Sequence, residues 1–138
     1  MERGSKQGPQ AKRIVEWCKR LKGHKRLVLG NHDHFPVGVY VDAGFEKVRG
    51  CWGGFEGFML THIPVHPDSL GRGKVNIHGH IHERVVMRDV AVETGIGMFM
   101  ERAPDPRYIN VCVEQIDYRP VSLDELRVRA GFDVRSEE

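Results

Sequence analysis

No stretch of the sequence approaches the roughly 20 apolar residues of a membrane-spanning helix, and the polar opening Met1–Gly8 lacks the hydrophobic region of a signal peptide. A cytoplasmic compartment, with no membrane partner, is therefore expected. Cysteine is scarce: Cys18, Cys51 and Cys112 lie far apart without a C-x-x-C pair. That excludes a disulfide framework and a cysteine zinc site, and reduced, buried thiols are expected. Charge of one sign is also missing. With 21 basic against 19 acidic side chains the net charge is +2, too little to recruit nucleic acid or an anionic membrane. There is no basic stripe, aromatic interleaving or zinc-finger spacing, so nucleic acid is not indicated as a partner and stays open only as one of several candidate substrates. Repeats and low-complexity segments are absent as well.

What is present suits one ordinary globular domain over residues 1–138: 40% hydrophobic and 29% charged residues. Gly8-Pro9 opens a helix in which Ala11, Ile14, Val15, Cys18 and Leu21 form one apolar stripe, stopped by Gly23. Arg26 to Leu29 reads as a short buried strand. Pro36 to Ala43 suits a short helix closed by Gly44, and Lys47–Arg49 and Gly57–Thr61 read as strands across a glycine-rich turn. Lys74–Ile77 is another strand, running into His78-Gly79-His80-Ile81-His82, where the glycine allows a tight bend. Val85 to Arg107 suggests a strand and then a surface loop, and Tyr108–Glu114 alternates as a strand. Ser122-Leu123-Asp124-Glu125 is a capping box for a last helix that Gly131 ends. Strands alternating with helices indicate a layered α/β fold.

All of the eight histidines except His24 fall in short groups: His32 and His34, His62 and His66, then His78, His80 and His82. A single histidine is ordinarily a satisfied core or surface imidazole. Grouping at strand ends favours metal binding, and imidazole suits zinc, iron, manganese or nickel.

Gly30-Asn31-His32-Asp33, then His62 after an apolar strand, then Gly79-His80-Ile81-His82 resemble, in order, motifs of the calcineurin-like metallophosphoesterases. The tail Tyr118–Glu125 is similar to the end of a small bacterial and phage subgroup of that family, and the resemblance runs from about Gln10 to Ala130. It implies an αββα fold, a β-sandwich flanked by helices. It also implies a divalent-metal hydrolase of phosphomonoesters or phosphodiesters. Asn31, His62 and His80 would hold one ion and His82 would reach the other, the two ions lying about 3.5–4 Å apart around a bridging hydroxide. His32 would contact a phosphate oxygen and protonate the leaving alkoxide, with Asp33 holding its ring in the useful tautomer.

The motifs that open that family, an aspartate and histidine one residue apart and then a glycine-aspartate pair, do not occur here. The expectation is thus an N-terminally incomplete domain that misses the fold's first strands and leaves a sheet edge for another copy or a partner chain to cover. Half of the bimetal site would go with them. The alternative reading is a non-catalytic scaffold protein of the same fold with an incomplete metal site.

Overall fold

The computed structural model describes residues 8–132, a mixed α/β chain whose contacts separate two compact units, one ending at Cys51 and the other beginning at Trp52.

In the first unit, helix α1 (Pro9–Arg20) starts with proline at its first turn and ends on Lys19 and Arg20, cations that suit the negative end of the helix dipole. Its expected stripe is real: Ala11 is buried and Ile14, Val15 and Cys18 are half-buried, while Leu21, past the last turn, is exposed. Strand β1 (Lys25–Val28) pairs in parallel with β2 (Phe45–Arg49), with helix α2 (Val37–Asp42) connecting them and packing against both α1 and β2. Ala43, Tyr40 and Val39 are buried here. Strand β1 is half-buried rather than buried, because a two-stranded sheet leaves it an open side.

The second unit holds a four-stranded sheet in the order β3 (Cys51–Phe55), β4 (Phe58–Thr61), β5 (Val75–His78), β8 (Tyr108–Asn110). Strand β3 occupies residues expected to form a glycine-rich turn. The actual turn is Glu56-Gly57, both at positive φ (51° and 90°), the backbone pattern of a tight hairpin turn. Strands β4, β5 and β8 run parallel, so their C-terminal ends and the loops that leave them lie together. Helix α3 (Leu123–Ala130) carries the expected capping box between Ser122 and Glu125 and ends at Gly131 in the left-handed conformation. It sets Leu126 into a core of Phe58, Val75, Ile77 and Ile109, with Phe132 tilted against Phe58 at 5.1 Å. Full burial of a side chain such as Phe58 contributes roughly 1.5–3 kcal/mol.

Three further expectations are corrected. The stretch Val85–Arg107 is a complete antiparallel hairpin, β6 (Met87–Thr94) with β7 (Gly97–Pro104), forming its own two-stranded sheet. Strand β8 stops after three residues and gives way to a 3₁₀ turn at Val113–Gln115. The cysteines are free thiols but none is buried: Cys18 and Cys112 are half-buried and Cys51 is exposed on an edge strand.

At the centre of the main sheet stands a polar residue, Asn76, 0% exposed on the fully buried strand β5. Its amide donates to Met59 O and Thr61 Oγ (both 3.0 Å), and its Oδ1 accepts from Val65 N–H (3.1 Å). Replacing Asn76 with alanine strands the Val65 amide and the Met59 carbonyl, and unsatisfied buried groups cost about 1–3 kcal/mol each. Asn76→Ala should therefore lower the urea-unfolding free energy by about 2–4 kcal/mol. A loss under about 1 kcal/mol would show that the network is not a structural requirement.

Candidate functional site

Asn76 matters through the loop that leaves β4. With Tyr108, whose hydroxyl donates to Val65 O at 2.7 Å, it pins the Ile63–Val65 segment beside the end of β5. Burial raises the pKa of the Tyr108 phenol above its ordinary value, so it stays a donor. The first residue after β4 is His62, whose carbonyl accepts the Gly79 N–H at 2.9 Å, which locks the exit of β4 to that of β5. A Cβ on Gly79 would lie 3.7–3.8 Å from Cys112 Sγ and from His62, ordinary contact, so the site is closely packed but not closed to alanine.

The bend expected at Gly79 falls on His80 instead. His80 has φ 70°, and Ile81 N–H bonds back to Gly79 O at 2.9 Å, the three-residue turn with a positive central φ that is rare and strained. This bend brings His80 Nδ1 to 3.1 Å from His62 Nε2, with the rings edge to face at 5.0 Å. Two such nitrogens are joined by a shared proton or by a cation between them. Imidazole nitrogens about 2.0–2.1 Å from a tetrahedral ion stand about 3.3 Å apart, so the pair fits two corners of a coordination sphere. Among the described residues no group of three or more His, Cys, Asp or Glu is placed to hold an ion.

His82, two residues beyond His80, is bonded to a side chain of the turn after β8. It too has positive φ (53°), and its Nδ1 meets Glu114 Oε1 at 2.9 Å. The hydrogen bond from His82 holds the Glu114 carboxyl below its ordinary pKa. In the first unit, Asn31, His32 and Asp33 occupy an exposed turn. Asp33 Oδ2 accepts the Gly30 N–H at 2.6 Å, closing that turn, and the His32 ring meets His34 edge-on at 6.3 Å.

The other histidines have structural work. His66 caps the 3₁₀ turn Pro67–Ser69, its Nδ1 accepting the Asp68 N–H. His24 pairs with Glu46. His78 is 1% exposed, bonded through Nδ1 to Gly79 O, and burial lowers its pKa, so it is neutral.

Sequence reasoning passed over Asn76, Asn110, Glu114 and Gln115, the residues that hold these loops. Only Asn76 left a signal: one amide inside the apolar run Val75-Asn76-Ile77.

The chain is 33% identical over 116 residues to an uncharacterized protein of Methanocaldococcus jannaschii, a match covering 83% of this chain and 54% of that protein. It is 31% identical over 101 residues to the Gene 66 protein of Mycobacterium phage L5, covering 51% of this chain and 48% of that protein. The chain thus spans about half the length of the curated relatives it matches. No family model and no solved structure matches it.

A non-glycine residue held at positive φ costs roughly 1–2 kcal/mol, which glycine escapes. With the ring removed in both variants, His80→Gly should be more stable than His80→Ala by about 1 kcal/mol or more in urea unfolding. Equal stabilities would mean that His80 carries no backbone strain.

Proposed function

We propose that this chain is a metal-dependent phosphoesterase of the calcineurin-like kind, hydrolysing phosphomonoesters or phosphodiesters with a metal-activated hydroxide. The observation that carries the reading is the His62–His80 pair, two imidazole nitrogens 3.1 Å apart at neighbouring parallel strand ends. Positions kept in a strained backbone cluster at functional sites, and His80 is one.

A divalent ion there, manganese, zinc, iron or nickel, supplies Lewis acidity and a hydroxide near neutral pH. His62 and His80 would hold it, on loops that Asn76, Tyr108 and the Gly79–His62 bond fix. The sequence resemblance, rather than geometry, gives Asn31 a ligand oxygen, His82 the other ion and His32 the leaving-group proton. The turn that presents Asn31 and His32 is closed by Asp33 through Gly30. The resemblance also gives Asp33 the task of orienting the His32 ring, and Asp33 closes the turn on which that ring sits.

A second reading, a non-catalytic scaffold of the same fold, is favoured by the lack, among the described residues, of a three-membered His, Cys, Asp or Glu group. Three protein ligands are the usual minimum for a catalytic zinc.

Metal analysis of the dialysed protein tests the site, and a hydrolysis assay beside it separates the two readings, because the scaffold turns over no phosphate ester. We expect about one ion per chain, lost in the His62→Ala, His80→Ala double variant. His32→Ala should keep the ion and lower the hydrolysis of an aryl phosphodiester by about 10²–10⁴-fold, the usual contribution of a general acid. Unchanged metal content in the double variant removes the pair from the site, and the scaffold reading then stands.

A further inference from the structure

Strands β5 and β8 run in the same direction, so Val75 opens β5 and Arg107 stands just before β8 at the opposite end from His78 and its loop. A cavity of about 430 Å³ lies there, between the loop before β5, the turn before β8 and the end of α3. Small-molecule sites span roughly 300–1,000 Å³ and combine a mostly apolar lining with a few placed polar groups. Here the apolar wall is Leu70, Val75, Pro106 and Phe132, and the charged groups are Arg72, Lys74 and Arg107. Among the described residues no carboxylate lines it.

These cations are set in place. Arg107 donates from Nε at 3.0 Å and from Nη2 at 2.7 Å to the carboxylate of Asp105, which is 3% exposed, and its carbonyl accepts the Asn76 N–H at 2.8 Å. Lys74 is anchored by a bond from Nζ to Gly53 O at 2.8 Å. Arg72 is exposed in the turn Gly71-Arg72-Gly73-Lys74, which the Lys74 N–H closes on Gly71 O at 3.1 Å, with Gly73 supplying the positive φ of 74°. Asp105 offsets one of the three cations, so the lining keeps an excess of positive charge beside its apolar wall. A guanidinium fork matches a carboxylate or a phosphoryl group.

We propose that this cavity is a second binding site, for a small organic anion whose apolar body lies against Leu70, Val75, Pro106 and Phe132 and whose phosphoryl or carboxylate head meets Arg72 and Arg107. It is separate from the histidine end of the sheet and does not depend on the phosphoesterase reading.

The test uses the full chain, labelled with ¹⁵N and freed of metal by a chelator, and its backbone amide spectra. Phenylphosphonate and benzoate present the two head groups on one ring, and the carbon–phosphorus bond of the first is not an ester that the chain could hydrolyse. At least one should give saturable shifts at Gly71, Arg72, Gly73 and Arg107. Methylphosphonate keeps the head without the ring, and benzyl alcohol keeps the ring without the charge. Each should bind about tenfold or more weakly, the worth of one buried ring or one hydrogen bond to a charged group. Arg72→Gln, a change at an exposed turn position, should raise the midpoint about three- to tenfold. An unchanged midpoint in that variant, a control compound that binds as well as the two anions, or no saturation with either anion would each overturn the proposal. Shifts confined to His78–His82 would overturn it too, because the anion would then sit at the other end of the sheet. Failure of the His62–His80 pair to bind metal leaves this site standing.

Discussion

The buried carboxamide of Asn76 is the constraint on which the second unit turns. A polar side chain at the middle of a fully buried strand is tolerated only because both its oxygen and its nitrogen are satisfied. Its partners are not arbitrary: Met59 and Thr61 lie on the neighbouring strand, and Val65 lies in the loop beyond it. The bonds that keep the group from being a liability also fix the loop that carries His62. Hydrophobic burial of Phe58, Ile77, Ile109 and Leu126 holds the sheet to its helix, but it has no direction. Directional bonds set where the histidines go.

Two histidines at positive φ, His80 and His82, sit at the same end of that sheet, and each is held by bonds from outside its own loop. Strained backbone persists only where the surroundings over-determine it. The pair His62–His80 and the dyad His82–Glu114 are two different solutions to presenting an imidazole. In the first, two rings face one another across 3.1 Å; in the second, a carboxylate takes one nitrogen and leaves the other outward.

Parts of this were legible in the sequence because their signals are local. The stripe Ala11, Ile14, Val15, Cys18 announced α1, and the reciprocal bonds of Ser122 and Glu125 announced α3. Strand β5 and its histidine-rich exit were legible too. Strand β3 was not, since Gly53 and Gly54 read as turn residues and only pairing with β4 makes them strand. The β6–β7 hairpin hid for another reason. Met98, Phe99 and Met100 are all exposed, so no alternation of buried and open positions marks the strand. Strand β8 ends at Asn110, whose backbone still pairs with His78 while its side-chain amide binds the carbonyls of His82 and Arg84 and its Oδ1 takes the Cys112 N–H. The strain at His80 was invisible, because the adjacent Gly79 looked like the residue that would bend.

As proposed, one metal ion is held jointly by His62 and His80. X-ray absorption spectroscopy of the zinc-loaded protein tests it directly. Nitrogen or oxygen scatterers are expected at about 2.0–2.1 Å with the outer-shell pattern of two imidazoles, lost when both histidines are replaced by alanine. A first shell with no imidazole pattern, or one containing sulfur at about 2.3 Å from a cysteine thiolate, would contradict it.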